Sequence, residues 1–253
     1  MELILAWRNP TDRRWYPVAR IDRDEGDYRL RYLKGILHSD ITPYALVHGM
    51  DNPEVEYRSH ELFPFLKNRV YNRKRSDYER YRQWLGLDPQ QMRDPLVELA
   101  VSGGVRATDP YQLFPVPEPR EGRYESTFFI HGTRYVAEEV ANGNSLREGN
   151  RLLLQLDIQN SVDPRAISLR TESDDHKAIV GYIPWLMHDD VRILLDRCGV
   201  HNVKVYVSAV SSDAPHMLKY RCILTAPWPA GFTPYSGPDF QPLAGERQVA
   251  IVA

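Results

Sequence analysis

The chain has 253 residues, of which 42% are hydrophobic and 26% are charged, and this balance is typical of folded globular domains and excludes an intrinsically disordered chain. Its formal net charge of -2 excludes a protein that is drawn to nucleic acid by its overall charge, so a polyanion site would have to be a local patch. The sequence has no apolar run of membrane-spanning length and no signal peptide, and Cys198 and Cys222 are too few for a disulfide framework, so we expect a cytoplasmic protein with no membrane partner.

Residues 1–114 are predicted to form an α+β N-terminal domain that opens with strands. In the run that follows the polar turn at residues 23–27, Tyr28, Leu30 and Tyr32 alternate with arginines, which is the period-2 pattern of a strand with one buried face. The strands are expected at residues 3–7, 15–21 and 28–33.

Helices are expected after residue 75. Ser76 and Glu79 have the spacing of a capping box, in which the two side chains bind backbone donors at the start of a helix. A second helix start is predicted at Asp94 and Pro95, because proline is favoured at the first helical position.

Two proline-rich stretches suggest the limits of the domains. Between residues 115 and 125 three prolines stand at alternate positions, where no helix can continue, and we predict a linker there. Residues 226–253 are predicted to be an irregular C-terminal tail, because the stretch from 227 to 245 is rich in proline and glycine.

The segment 126–225 reads as a second domain of short strands around one helix. Val191, Leu194 and Leu195 have helical spacing, which predicts a helix over residues 188–197. Six strands in about a hundred residues favour a small closed β-barrel. The predicted strands are residues 128–130, 151–157, 166–170, 178–183, 203–210 and 219–224.

This second half resembles the HIRAN domain, an OB-like barrel that precedes the motor of some fork-remodelling helicases and also occurs alone in bacterial proteins. Four motifs carry the resemblance, in the order of the family. They are residues 132–135 (Gly-Thr-Arg-Tyr), 146–152 (Leu-Arg-Glu-Gly-Asn-Arg-Leu), 160–167 (Asn-Ser-Val-Asp-Pro-Arg-Ala-Ile) and 181–184 (Gly-Tyr-Ile-Pro).

The resemblance implies a site that grips the 3′ end of single-stranded DNA. It implies that Arg134 approaches a phosphate or base, that Tyr135 stacks on a base and that Asp163 accepts a hydrogen bond from the terminal hydroxyl, in a loop shaped by Asn160. The tyrosine of the family motif is Val162 here, and Tyr182 or Trp185 would compensate for it. Asn160 and Asp163 also have a purely local interpretation, because such side chains bind the backbone of their own turn.

The first half resembles the small N-terminal subdomain of HipA-like toxin kinases, through residues 60–69 (His-Glu-Leu-Phe-Pro-Phe-Leu-Lys-Asn-Arg). It has none of the catalytic motifs of a kinase. An alternative function is therefore a non-catalytic regulatory module that docks a protein partner through this half. That alternative predicts an exposed apolar patch near Phe63 and Phe65.

The strongest local charge lies between Arg58 and Arg82, with 8 basic and 3 acidic residues and interleaved aromatic residues. Arg73, Lys74 and Arg75 are candidate nucleic-acid contacts on this basis. The other interpretation is a solvated helix face whose aromatic side chains point inward. By contrast, the segment from Ser126 to Ala226 has 11 basic and 12 acidic residues.

No motif for catalysis, cofactor or metal binding is present, and the pairs Asp174-Asp175 and Asp189-Asp190 are more typical of helix caps and turns than of a metal nuclease. The sequence therefore predicts a non-enzymatic, bacterial-type protein with no cofactor. Its expected ligand is single-stranded DNA or a DNA end, in repair, replication-fork handling or mobile-element defence, beside a separate helicase or nuclease.

Overall fold

The computed structural model describes residues 1–38, 44–133, 146–160, 163–172, 178–243 and 248–252. The chain divides into two compact units, one of residues 1–116 with 235–253 and the other of residues 117–234. Each unit contains one six-stranded sheet, and the described chain belongs to the mixed α+β class.

The sheet of the first unit has the strand order β12-β4-β3-β2-β1-β5 and is antiparallel except for the pair β12 and β4. The three strands predicted near the N-terminus are confirmed. The strands are β1 (Glu2–Arg8), β2 (Trp15–Asp24), β3 (Asp27–Tyr32), β4 (Val55–Ser59), β5 (Tyr111–Pro115) and β12 (Gln248–Ile251).

The alternation of buried and partly buried residues expected in β3 is present. Tyr28, Leu30 and Tyr32 are buried in the core of the first unit, whereas Arg29 and Arg31 are only partly buried. One face of the strand therefore packs on apolar side chains, and the other bears charges.

Three short α-helices and three 3₁₀-helices complete the first unit within the described residues. They are α1 (Pro64–Lys67), α2 (Tyr78–Leu85) and α3 (Pro95–Ser102), with 3₁₀-helices at Lys34–Leu37, Gln91–Arg93 and Pro238–Phe240.

The two predicted helix starts have different outcomes. The start at Asp94 is confirmed, because its carboxylate accepts a hydrogen bond of 3.0 Å from the N–H of Leu96. The prediction of a capping box at Ser76 is wrong, because α2 has Asp77 at its N-cap and no side-chain hydrogen bond to the cap. The Asp77 carboxylate instead accepts hydrogen bonds from Arg75 and Tyr71, so it is not available to the helix.

Helix α3 carries a fully buried carboxylate, Glu98. Its Oε1 accepts a hydrogen bond of 2.6 Å from the N–H of Tyr71. Burial raises the pKa of Glu98 above its usual range, since the charged form is poorly solvated there.

The sheet of the second unit has the order β6-β11-β10-β7-β8-β9 and is antiparallel throughout. The predicted helix is present as α4 (His188–Cys198), which packs on the sheet. Two 3₁₀-helices lie at Trp185–Met187 and His216–Leu218. The strands are β6 (Arg123–Phe129), β7 (Arg151–Leu156), β8 (Ile167–Thr171), β9 (Ile179–Tyr182), β10 (Lys204–Val210) and β11 (Tyr220–Pro227).

This second sheet curls until its edge strands meet. His131, just beyond β6, and Tyr182 in β9 each donate their N–H to the other's carbonyl oxygen at 2.9 Å. Gly181 allows the approach, because a Cβ there would lie 2.4 Å from Cγ2 of Ile130 and 2.5 Å from the carbonyl oxygen of His131. Its φ of +144° also belongs to a region that is almost restricted to glycine. The Gly-Tyr motif thus places Tyr182 at the closure of the sheet.

Two predicted boundaries need correction. Strand β6 begins at Arg123, inside the predicted linker 115–125. The tail predicted to be irregular over 226–253 is regular at Gln248–Ile251, where β12 pairs in parallel with β4. A parallel partner that lies far away along the chain leaves no local sequence pattern, and this explains the omission.

Candidate nucleic-acid interface

In the loop between β7 and β8, residues 157–166, polar side chains of the described residues bind the backbone of the loop itself. The Asn160 Oδ1 accepts a hydrogen bond of 3.0 Å from the N–H of Asp163. The Asp163 Oδ1 in turn accepts one of 2.8 Å from the N–H of Arg165. These two hydrogen bonds join side chains of the hallmark motif to its own backbone, as the local interpretation of the sequence predicts.

Asp157 ties this strand-end loop to the closure of the sheet. Its Oδ2 accepts hydrogen bonds from the Tyr182 hydroxyl at 2.9 Å and from the Asn160 amide at 3.2 Å. Burial, and then the hydrogen bond to Asp157, raise the pKa of Tyr182 above its usual range. The Tyr182 hydroxyl is therefore held as a donor to the loop.

Asp163 also contacts helix α4. The Asp163 Oδ2 lies 3.1 Å from Nδ1 of His188, whose ring is almost fully buried at 4% exposure. Burial alone would raise the pKa of Asp163, but the hydrogen bonds with His188 and with the N–H of Arg165 outweigh it, and the pKa lies below its usual range. This carboxylate is therefore ionised at neutral pH and fixed in direction.

Arg165 presents a cation beside an aromatic ring. Its guanidinium lies 5.7 Å from the centroid of the half-buried Trp185 ring, and half of the Arg165 side chain is exposed. Asp189 at the start of α4 holds the guanidinium at 3.3 Å, and Arg192 donates to the carbonyl oxygen of Arg165 at 3.1 Å. A cation beside an indole ring is a surface on which a phosphate and a nucleobase can both be accommodated.

The structure brings together four of the predicted site residues. Asn160, Asp163, Tyr182 and Trp185 all belong to the strand-end loop or to elements in contact with it. Arg134, Tyr135 and Val162 lie outside the described residues, and so do Asp174 and Asp175.

Three residues of this site were missed at the level of sequence: Asp157, Arg165 and His188. Arg165 stands inside the 160–167 motif and could have been noticed as its only cation. Nothing in the spacing of the chain indicates that His188 would meet Asp163.

The candidate residues Arg73, Lys74 and Arg75 lie in the first unit, and all three are exposed. Arg73 donates to the carbonyl oxygen of Met92 at 2.7 Å, and Arg75 forms a two-pronged contact with Asp77 at 2.9 and 3.0 Å. Both guanidinium groups thus have intramolecular partners.

Four of the five aromatic side chains interleaved with this basic run are buried or pack against other rings: Phe63, Phe65, Tyr71 and Tyr81. The rings of Tyr71 and Tyr81 stack with centroids 4.1 Å apart, and Tyr81 is buried. Phe63 is fully buried, and Phe65 packs edge-on against Tyr111. Phe63 and Phe65 therefore do not form the exposed patch that a docking role at these residues requires.

Within the described ranges, no three His, Cys, Asp or Glu side chains are grouped as a metal ion would require. In the same part of the chain, no helix combines the length and the apolar character needed to cross a bilayer.

Comparison with known proteins yields partial structural similarities. No protein-family profile and no curated protein matches the chain. A protein from Lactobacillus plantarum, solved by a structural genomics consortium, aligns at 27% identity with a TM-score of 0.31, over 41% of this chain and 96% of its own. The HIRAN domain of human HLTF aligns at 14% identity with a TM-score of 0.30, over 40% of this chain and 73% of its own. Alignments of this extent do not place the chain in a family, and they give no support to the resemblance of its first half to HipA proteins.

Proposed function

We propose that the second unit binds single-stranded nucleic acid, namely single-stranded DNA or its 3′ end, through the strand-end loop and the start of α4. The observation that carries this proposal is the half-exposed Arg165 side chain over the ring of Trp185, beside the hydrogen-bonded carboxylate of Asp163. Aromatic stacking and charged phosphate contacts are the usual basis of single-strand binding.

The charge of this unit supports a small site rather than a long groove. The 11 basic and 12 acidic residues between Ser126 and Ala226 leave no excess of positive charge for many phosphates. A strand end needs only a few contacts, which the strand-end loop and α4 offer.

Asp163 retains the capacity to recognise a terminal hydroxyl. Each carboxylate oxygen can accept two hydrogen bonds, and Arg165 and His188 occupy one position on each oxygen. The side chain is 20% exposed, so a hydroxyl has access to it. We assign it this role together with its role in the turn.

The biological role that we propose is a non-catalytic targeting module in DNA repair, replication-fork handling or mobile-element defence, acting beside a separate helicase or nuclease. The order of the four HIRAN-like motifs in the sequence supports this role.

The test is fluorescence anisotropy with labelled single strands that end in a 3′-hydroxyl, a 3′-phosphate or a blocked 3′ end. Arg165→Gln should weaken binding about tenfold or more, because a hydrogen bond to a charged group contributes about 1.5–3 kcal/mol. Arg197→Gln is the matched control, since Arg197 is exposed in the last turn of α4.

Two further variants separate stacking from recognition of the end. Tyr135→Ala should weaken binding of all strands about five- to 160-fold, which corresponds to about 1–3 kcal/mol for one base stack. Tyr44→Ala, at a tyrosine 73% exposed in the first unit, should have no effect. Asp163→Ala should reduce the preference for the free hydroxyl. Equal affinity of the Arg165, Tyr135 and control variants would refute the proposal.

A further inference from the structure

His188 connects the strand-end loop to the closure of the sheet through both nitrogens of its ring. Nδ1 lies 3.1 Å from the Asp163 carboxylate, and Nε2 lies 3.4 Å from the carbonyl oxygen of Ile183, directly after β9. Both neighbours are hydrogen-bond acceptors. The ring is buried, so water cannot easily replace either partner.

Two acceptors make the number of hydrogen bonds depend on the protonation state of the ring. A neutral imidazole has one N–H and can donate to only one of them, whereas the imidazolium donates to both. Loss of one proton from His188 therefore removes one of the two hydrogen bonds and also removes the charge that faces the Asp163 carboxylate.

The other charged groups around His188 act in both directions. The start of a helix disfavours a cation, whereas the carboxylates of Asp189 and Asp190 in the first turn of α4 favour one. Arg165 faces the same carboxylate from the loop, with its Nε 3.9 Å from Oδ1 of Asp163. Arg192, one turn further along α4, donates to the backbone of the loop.

We infer that His188 is a positioning residue that couples its own protonation to the placement of Asp163, so that recognition of a strand end by this loop depends on pH. The inference rests on the proposed function of the loop. With the ring of His188 protonated, two hydrogen bonds join α4 to the loop and to the residue after β9. With the ring neutral one remains, and the affinity for a 3′-hydroxyl strand should fall about fivefold, the effect of one neutral hydrogen bond of about 1 kcal/mol.

The experiment combines binding and NMR between pH 5.5 and 8.5 on the full chain. Long-range proton–nitrogen spectra identify the protonation of each ring nitrogen of His188, and amide signals of residues 163–166 report the placement of the loop. Affinity for a 3′-hydroxyl single strand is measured in parallel. In the wild type the three observables should change over the same pH interval.

His188→Asn keeps an amide donor near the position of Nδ1 but does not titrate, so its affinity should be independent of pH over this interval. His201→Asn, at an exposed histidine after α4, should keep the profile of the wild type. If His188→Asn fails to fold in a thermal melt, His188→Gln provides the same comparison, because its amide does not titrate either. A wild-type profile in a folded His188→Asn protein would overturn the inference.

The two proposals can fail separately. If no strand binds at any pH, the proposed function is wrong, and the NMR data alone decide whether His188 moves the loop. If strands bind but the amides of residues 163–166 do not respond to the titration of His188, the inference is wrong and the proposed function stands.

Discussion

Replacement of Gly181 in β9 by alanine should destabilise the second unit more than replacement of a glycine in one of the exposed turns of this unit. The new Cβ would lie 2.4 Å from Cγ2 of Ile130 and 2.5 Å from the carbonyl oxygen of His131, and that carbonyl belongs to the bridge that closes the sheet. Because a backbone oxygen cannot rotate away, the two strands would have to separate.

The expected cost has two parts. A non-glycine residue in this sparsely populated backbone region costs about 1–3 kcal/mol. Overpacking against fixed neighbours costs about 1–3 kcal/mol more. The sum, about 2–6 kcal/mol, is a large fraction of the stability of about 5–15 kcal/mol that is usual for a domain.

Gly149→Ala is the matched control. Gly149 has a φ of +84°, and a Cβ there would meet no atom within 4 Å, so only the backbone strain of about 1–2 kcal/mol remains. Urea unfolding followed by circular dichroism measures the free energy of unfolding, and hydrogen exchange of peptides from β8 and β9 locates the loss. If Gly181→Ala costs no more than Gly149→Ala, the proposed reason for the Gly-Tyr motif is refuted.

Three further changes test other parts of the description. Asp94→Ala should lower the free energy of unfolding by about 1 kcal/mol in urea melts, the usual value of an N-cap, and a neutral result would mean that the helix start does not depend on this side chain. The folded state holds the proton of Glu98 more tightly than the unfolded chain, because the pKa of Glu98 is raised. The free energy of unfolding should therefore fall as pH rises from the ordinary glutamate range through the raised pKa, and Glu98→Gln should flatten this slope in melts at several pH values. If Arg73, Lys74 and Arg75 also contact phosphates, their replacement by glutamine should reduce the salt dependence of single-strand binding by about 0.7 in the log–log slope for each phosphate that is no longer neutralised. An unchanged slope would assign them to intramolecular interactions alone.

Strand positions were largely predictable because one face of each strand is buried, and burial of one face imposes a period of two on the sequence. Tyr28, Leu30 and Tyr32 in β3 illustrate the rule, and Asp94 illustrates how a single capping residue marks a helix start. Strand β12 escaped prediction because its register depends on β4, which lies far away in the chain.

The residues of the candidate site also fall into those that the sequence predicts and those that only the fold brings together. Asn160 and Asp163 were recognisable because the turn that they order is local, and its hydrogen bonds span only two or three residues. The contact of Asp163 with His188 joins residues 25 positions apart, and the Arg165 guanidinium lies over a ring about 20 positions further on. Such contacts depend on how α4 packs against the sheet, which no local pattern encodes. The sequence alone thus determined the turn at residues 160–165. The tertiary structure decided that the rings of His188 and Trp185 lie against it.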